Sequence, residues 1–347
     1  MAEISKETAD IRQLGIDPHR WYVVARSEEV KTRPVGVVLW NQPIVLFRDS
    51  RGKINALEDR CPHRQVKLSH GSAIADSLEC VYHGWRFDRG GNCVFVPYLQ
   101  DNQKLPNCQI KTYPVREVDG FIWLFPGEKK PDIEPMKIPE WEHLNFIATV
   151  STIRVRSHYS FLVENLMDMY HGHLHRDWQA WTDAKLENIV ETGDRVDVRY
   201  NAQSYYKIDK IWSISQLFFP ALRRLHPETL TVSYIYPHWV STLGKDFKIY
   251  CLLCPVSLTE TRAYLIHFTS LHAFRRLHKL PVPFRRFVKN RLFGSAQKLL
   301  DGLVEEDVKM IEQEQQAYQN DPEWRGWELN PAIAAVRRSI QIHGFSL

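Results

Sequence analysis

The first ~125 residues contain short apolar runs separated by turn residues. These runs are rich in β-branched and aromatic side chains, a composition that predicts strands. We therefore predict a small all-β unit at the start of the chain. The runs are WYVVA at 21–25, VVLW at 37–40, PIVLF at 43–47 and FIWLF at 121–125.

The segment 126–141, PGEKKPDIEPMKIPEW, holds four prolines among charged residues. Proline interrupts helices and central strands, so this composition favours a connection between domains. We predict a boundary there. The first domain then covers 1–127, with a core from about residue 20, and the second covers 128–347.

Beyond this segment the pattern changes. A helical period is visible at about 160–176, and the tail from about Pro283 to Tyr318 is again helix-permissive, ending before Asp321-Pro322. Between them lie alternating segments that predict an antiparallel sheet, so the fold class is α+β. These segments are RVDVRYNAQSYYKI, TLTVSYIYPHW, FKIYCLLCPV and RAYLIHFT.

The composition is that of an ordinary globular protein, with 44% hydrophobic and 25% charged residues among 347. A net charge of +4 does not favour nucleic acid as a partner. The N-terminus is polar and no apolar run approaches the ~18 residues of a membrane span, so we expect a cytoplasmic protein without a transmembrane segment. Six cysteines are too few for a disulfide scaffold and make metal binding worth examining.

Two Cys/His pairs stand out in the β unit. Cys61 precedes His63 by two residues, and Cys80 precedes His83 by three. Two thiolates and two imidazoles are the ligands of a Rieske [2Fe–2S] cluster, in which the histidines hold one iron and raise the reduction potential. The alternatives are a Cys₂His₂ zinc site or unrelated core residues. Zinc fingers pair Cys with Cys and His with His, so mixed pairs disfavour zinc.

A second candidate site lies in FLVENLMDMYHGHLHRD. At ~100° per residue, a helix would place Glu164, Asp168, His171 and His175 within an arc of about 60°, with His173 on the opposite side. Histidines four residues apart can bind one metal ion, although two solvated histidines would show the same pattern.

Asp307 could complete this site. It lies near the centre of an apolar stripe in QKLLDGLVEEDVKMIEQ, where an ionised carboxylate is costly unless it is paired or binds a metal. The alternatives are a protonated acid or an ion pair with Arg154 or Arg156. Two histidines and one carboxylate form the facial triad of non-haem Fe(II) oxygenases.

Several of these segments resemble the large (alpha) subunits of the Rieske non-haem iron, or aromatic ring-hydroxylating, oxygenases. The resemblance implies a Rieske domain followed by a helix-grip-like catalytic domain. It further implies that Cys61, His63, Cys80 and His83 hold the cluster. The segments are CPHR at 61–64, CVYHGWRFD at 80–88, DGFIWLFPG at 119–127, ENLMDMYHGHLH at 164–175 and EEDVKMIEQEQQ at 305–316.

By the same resemblance, His171, His175 and Asp307 bind the mononuclear Fe(II). Asp168 is the acid that links a metal-bound histidine to the cluster of a neighbouring subunit, and Asn165 belongs to the same catalytic segment. Most members space the two histidines five residues apart. The interval of four found here is similar to that of the carbazole and oxoquinoline oxygenases.

The resemblance implies a homotrimer that uses O₂ to hydroxylate or oxidatively dealkylate an apolar, aromatic or polycyclic small molecule. Electrons would come from NAD(P)H through a ferredoxin or a reductase. Because the sequence has no Gly-x-Gly-x-x-Gly fingerprint, we expect the reductase to be a separate protein. Two alternatives remain, a ring-dihydroxylating dioxygenase and a Rieske electron-transfer protein without oxygenase activity.

For two further motifs, a structural interpretation is favoured over a functional one. The stretch 272–291 holds seven Lys and Arg, and could dock a ferredoxin or a membrane surface, but two prolines interrupt it and favour a solvated helical connection. Cys251 and Cys254 form a C-x-x-C motif within an alternating apolar run, which favours strand packing over a redox pair.

Overall fold

The N-terminal segment and the C-terminus of the chain belong to the same structural unit. A computed structural model describes residues 10–100, 102–178, 181–204, 225–244, 247–271, 277–292, 297–324 and 326–346. In it, β1 (Leu14–Gly15) pairs antiparallel with β19 (Phe345–Ser346). One unit therefore combines the segment that ends at Ile16 with Pro139–Leu347, and the other is Asp17–Ile138. These bounds differ from the expected 1–127 and 128–347 at both ends of the first domain.

The Asp17–Ile138 unit is built from short antiparallel strands in three sheets, ordered β3-β4-β5, β6-β7-β8-β9 and β10-β11-β2. All four apolar runs of the sequence lie on its strands, so the prediction of an all-β unit is confirmed. The strands are β2 (Tyr22–Arg26), β3 (Val35–Leu39), β4 (Gln42–Arg48), β5 (Ile54–Glu58), β6 (Ser72–Ile74), β7 (Ser77–Glu79), β8 (Arg86–Asp88), β9 (Cys93–Phe95), β10 (Val115–Val118) and β11 (Phe121–Leu124).

A seven-stranded antiparallel sheet, ordered β12-β18-β17-β16-β15-β14-β13, forms the centre of the second unit. The predicted antiparallel sheet is confirmed. Two of its strands, β12 and β13, were not among the predicted segments, and the predicted run from Thr229 to Trp239 spans a turn between two strands. The strands are β12 (Phe146–Val155), β13 (Trp181–Thr192), β14 (Arg195–Ser204), β15 (His226–Ile235), β16 (His238–Leu243), β17 (Phe247–Ser257) and β18 (Glu260–Ser270).

Helices complete this unit and make the fold α+β, as predicted. Helix α2 packs against α4 and α5, and α4 also packs along β12. The α-helices are α1 (Pro139–Glu142), α2 (Tyr159–Met167), α3 (Val282–Leu292), α4 (Gln297–Asn320) and α5 (Pro331–His343). Short 3₁₀ helices lie at Ile11–Gln13, Ser27–Glu29, Leu68–His70 and Leu277–Lys279, and a longer one at Met169–Trp178.

The predicted single helix over about 160–176 is wrong. Helix α2 ends at Met167, and Asp168 has an extended backbone with φ −89° and ψ 104°. A ten-residue 3₁₀ helix, Met169–Trp178, follows. The two histidines therefore lie beyond the α-helix, and the ~100° spacing does not apply to them because a 3₁₀ helix turns once every three residues.

An ion triad around the mostly buried carboxylate of Glu164 links the N-terminal segment to α2 and α5. Arg12 Nη2 and Arg337 Nη2 each lie 2.8 Å from a different carboxylate oxygen of Glu164. Burial opposes ionisation of Glu164, but the two guanidinium groups outweigh it and lower the pKa of this carboxyl. Since removing one partner from a buried ion pair is strongly destabilising, Arg12 and Arg337 hold α2 from two sides.

Candidate functional site

Two loops of the β unit are closed by the same kind of backbone hydrogen bond. Cys61 begins one loop after β5, and Cys80 begins the other after β7. In each loop the backbone N–H four residues later donates to the cysteine carbonyl, from Gln65 over 2.7 Å and from Gly84 over 3.0 Å. Both of these residues have a positive φ, +58° and +68°. Glycine adopts this conformation without steric cost, which explains the Gly that follows His83.

In these loops the two cysteines are buried, whereas the two histidines lie nearer the surface. The thiols of Cys61 and Cys80 are only 1% exposed and belong to the apolar core of the unit. The rings of His63 and His83 are partly exposed, with centroids 4.5 Å apart. Buried thiols and partly exposed imidazoles are the arrangement expected of a cluster with one sulfur-ligated and one nitrogen-ligated iron.

The chemistry of these groups fits a metal cluster. Burial raises the pKa of the Cys61 thiol to about 11, against the effect of the His63 backbone N–H, and the nearby Cys80 adds to the rise. Thiolates at such a site need a strong cationic partner, which iron would supply. His63 Nδ1 is buried and has no hydrogen-bond partner. A buried nitrogen lone pair without a donor is free to bind metal.

Trp85 supports this loop pair and was not identified from the sequence. Its ring stacks on His63 with centroids 4.7 Å apart and planes within 8°. Its Nε1 donates to Tyr98 Oη over 2.7 Å. Trp85 therefore restricts the orientation of the His63 ring, and its position two residues after His83 in CVYHGW was the available signal.

The structure brings together His171, His175 and Asp307. One candidate ligand atom from each lies within 4.8 Å of the others, and no other such group of three appears among the residues described. Asp307 Oδ1 is 3.6 Å from Nε2 of His171 and 3.3 Å from Nε2 of His175. Two imidazole nitrogens and one carboxylate oxygen match the facial-triad donor set.

The alternative of an ion pair between Asp307 and Arg154 or Arg156 does not occur. Arg156 forms a bidentate pair with Glu312 instead, and Arg154 is exposed on β12. Burial lowers the pKa of His171 despite the nearby Asp307. Burial also opposes protonation of His175, but hydrogen bonds to Asp307 and Glu306 outweigh it and raise the pKa. With this electrostatic coupling, the three groups suit a cation.

Two side chains of the same unit contact these three. Asn165 Nδ2, a predicted site residue, lies 3.4 Å from Asp307 Oδ1. Glu306 Oε2 lies 3.0 Å from His175 Nδ1, a contact that was not foreseen from the edge of the apolar stripe. By contrast, His173 is exposed and its Nδ1 lies 3.2 Å from the carbonyl oxygen of Tyr170.

Asp168, the predicted bridging acid, lies at the break between the two helical segments. Its Oδ1 accepts from the Tyr170 N–H and from Asn330 Nδ2, both over 2.9 Å. Asn330 also caps α5, because its side-chain oxygen accepts from the Ala332 N–H. No signal near Asp168 in the sequence points to Asn330.

The C-x-x-C motif is buried in β17. Cys251 and Cys254 are buried, and burial raises the pKa of Cys254 to about 11, although Arg262 opposes the rise. Neither cysteine forms a disulfide. This is the strand packing that the sequence predicts.

The fold and the two sites define a class of protein. A β unit with two Cys/His loops is joined in one chain to a sheet-and-helix unit with a convergent His, His and Asp. This combination is typical of oxygenases with a Rieske cluster and a separate mononuclear iron.

Comparison with known proteins identifies the family. The Rieske [2Fe-2S] domain family matches residues 20–114. A 4β-methylsterol monooxygenase of Methylococcus capsulatus is 32% identical over 340 residues, 94% of this chain and 88% of that protein. The chain belongs to the Rieske non-haem iron oxygenases, and the expected class of enzyme and its two iron cofactors are confirmed. Because the match spans both units, the alternative of a Rieske electron-transfer protein without oxygenase activity is not favoured.

Two further similarities concern a demethylase. The oxygenase component of dicamba O-demethylase from Stenotrophomonas maltophilia is 36% identical over 181 residues, 50% of this chain and 52% of that protein. The crystal structure of dicamba monooxygenase bound to dicamba has a TM-score of 0.72 at 22% identity, covering 96% of this chain and 99% of that one. The structural match confirms the fold.

Proposed function

We propose that this chain is the oxygenase component of a system that oxidises an alkyl carbon, foremost a methyl group, on an apolar aromatic or polycyclic molecule. The observation that carries the proposal is the convergence of His171, His175 and Asp307. Two of the relatives are named for a reaction at a methyl group, since one acts on a methylsterol and the other removes an O-methyl group. Both names concern a methyl substituent, which favours hydroxylation and dealkylation over ring dihydroxylation.

In this proposal Cys61, His63, Cys80 and His83 hold the cluster, and His171, His175 and Asp307 hold the mononuclear iron. When bound, these groups supply one-electron transfer and a reducible centre for O₂. Asn165 donates to Asp307 and keeps the carboxylate turned toward the histidines. Electrons come from NAD(P)H through a separate reductase, with or without a ferredoxin.

Asp168 would connect the two kinds of site. Both of its hydrogen bonds end on Oδ1, so Oδ2 can accept from a histidine of another subunit. The fixed carboxylate would then orient that histidine and carry electronic coupling toward His171.

Two exposed patches support a homotrimer in which each cluster serves the iron of the next chain. Val81 and Tyr82, beside His83, are more than 60% exposed. Trp327, three residues before Asn330, is 96% exposed. Apolar side chains this exposed on a monomer mark interaction surfaces, and these flank the two ends of the proposed electron path.

We also place the protein in the cytoplasm. None of the six cysteines forms a disulfide, which suits a reducing compartment.

The test is turnover with defined products. The purified protein, loaded with iron, is mixed with NAD(P)H, a ferredoxin and a reductase, and offered methylated polycyclic compounds and aryl methyl ethers. We expect substrate-dependent O₂ uptake and a hydroxymethyl or demethylated product. A cis-dihydrodiol would support a dioxygenase instead. Reoxidation of the cluster without O₂ incorporation into any substrate would contradict the proposal.

A further inference from the structure

Two cationic side chains of helix α3, Arg285 and Lys289, are turned inward. Arg285 Nη1 donates to Asn145 Oδ1 over 2.9 Å. Lys289 Nζ donates to the carbonyl oxygens of Trp141 and His143. Burial lowers the pKa of Lys289, in keeping with this inward position. The cations thus anchor the helix to α1 and to the chain that leads into β12.

Two aromatic side chains of α3 face outward. Phe284 and Phe287 are 61% and 64% exposed, and their rings lie 6.5 Å apart. Residues three apart share one face of a helix. A surface helix of a globular protein normally buries its apolar side chains, so the exposure of Phe284 and Phe287 opposite the inward-turned Arg285 and Lys289 is unusual. Its outer face is suited to an apolar environment.

Exposed cationic side chains accompany these phenylalanines on α3. Arg286 and Arg291 are exposed on the same helix. Residues 261–300 contain nine Lys and Arg and no Asp or Glu, whereas the whole chain carries a net charge of only +4. Such a concentration of one sign produces a local potential that attracts anionic surfaces.

We propose that α3 binds the surface of a membrane that contains anionic lipids, with Phe284 and Phe287 among the acyl chains and Arg286 and Arg291 against the headgroup phosphates. An anionic bilayer offers both negative charge and hydrocarbon, and both are needed to match this helix. An acidic protein would match the charge alone. Among the residues described, no helix is long and apolar enough to cross a membrane, so the contact is peripheral.

Membrane contact has a consequence for catalysis that rests on the proposed function. An apolar polycyclic substrate partitions into bilayers. Only residues 293–296 separate α3 from α4, which carries Asp307. The enzyme would meet its substrate at the surface where the substrate is concentrated.

Vesicle binding by the full-length, cluster-containing protein tests the proposal without any turnover. Flotation is measured with phosphatidylcholine vesicles and with vesicles that also contain phosphatidylglycerol. We expect binding to the anionic vesicles only, weakened by salt. The double variant Phe284→Ser/Phe287→Ser should bind at least about tenfold more weakly, because two inserted side chains are lost. Arg286→Gln/Arg291→Gln should also bind more weakly.

Ile342→Ser is the matched control, since Ile342 is an exposed apolar residue on another helix, α5. It should bind like the wild type. Absence of binding to anionic vesicles, or equal binding by the phenylalanine double variant, would overturn the proposal. So would a change in the oligomeric state of that variant without vesicle binding by the wild type, which would assign the face to a second copy. If the wild type does not bind vesicles but binds a ferredoxin in a salt-sensitive way through this face, the face would be assigned to an acidic protein. None of these results depends on which substrate is oxidised.

Discussion

Glu306 Oε2 lies 3.0 Å from Nδ1 of His175, while Nε2 of the same ring faces Asp307. In the proposed iron site, one carboxylate thus binds Nδ1 of His175 and leaves Nε2 for the metal. Histidines that bind metals usually donate their second N–H to a carboxylate or carbonyl, which fixes the tautomer and the ring orientation. Glu306 therefore acts as a positioning residue for His175.

Replacing Glu306 should weaken iron binding without affecting the cluster. For Glu306→Ala we expect about 10- to 100-fold lower affinity for mononuclear iron, the usual effect of losing such a partner. Glu306→Gln, which keeps an acceptor oxygen, should lie between this variant and the wild type. Chelator competition measures the affinity, and visible absorbance monitors the cluster. Glu305→Gln is the control, because Glu305 is exposed and pairs with Lys309. Wild-type iron affinity in Glu306→Ala would refute this role.

The iron content per chain tests the assigned ligands. With a two-iron cluster and one mononuclear iron, the wild type should hold about three irons. Asp307→Ala and His175→Ala should hold about two, with the cluster's EPR signal unchanged. His173→Ala should keep all three, because His173 is exposed and outside the group. Loss of the cluster signal in Asp307→Ala, or full iron in it, would contradict the assignment.

Asn330 should influence electron transfer through Asp168. Asn330→Asp keeps an oxygen for the helix cap but loses the N–H that donates to Asp168 and adds a like charge beside it. We expect slower substrate-triggered reoxidation of the reduced cluster in stopped-flow measurements. Asn330→Ala should additionally lose about 1 kcal/mol of stability with the cap. Asp168→Asn, which loses the bridging carboxylate itself, should show the slowest reoxidation of the cluster. A wild-type rate in Asn330→Asp would mean that Asn330 only caps α5.

The buried His158 predicts how stability depends on pH. Burial is the main cause that lowers its pKa to about 4, and its Nε2 lies 3.0 Å from the Leu14 carbonyl oxygen. The unfolded chain, with a pKa near 6.5, then binds more protons than the folded chain between these values. The free energy of unfolding should therefore fall as the pH drops from about 6.5 to about 4, by up to about 3 kcal/mol.

Denaturant melts of the wild type and of His158→Asn across this range provide the measurement. The variant is expected to be less stable at neutral pH but to show a shallower pH dependence. His173→Asn, at an exposed position, should keep the wild-type slope. An unchanged slope in His158→Asn would assign the acid sensitivity elsewhere, for instance to His267, whose pKa burial also lowers to about 4.

Much of the fold could be predicted because a strand is indicated by the residues within it, here by a short apolar run bounded by turn residues. Each apolar run before residue 126 became a strand, and the Cys/His spacing identified both loops. Strand β13 was missed because most of its side chains are exposed or half-buried, which leaves no clear alternation. The break at Asp168 was missed because a helical period continues through it. On a 3₁₀ helix, residues 171 and 175 are about 120° apart, yet their side chains still reach one carboxylate.

The relationships that link distant segments could not be predicted. Asn330 and Asp168 are 162 residues apart, and nothing near either residue indicates the other. Glu306 was visible beside Asp307, but its contact depends on where the 3₁₀ helix places His175. Such pairings follow from tertiary packing, which a single sequence does not encode in any local pattern.

The pairing of β1 with β19 makes the cluster unit an insertion. In the proposed catalytic unit, the segment that ends at Ile16 is grouped with Pro139–Leu347, and the cluster unit, Asp17–Ile138, lies between these two segments in the sequence. A catalytic fragment made by cutting away everything before Pro139 would therefore lose a strand of its own and the Arg12 partner of Glu164. The catalytic unit should be isolated by replacing Asp17–Ile138 with a short linker, so that both ends of the chain remain paired.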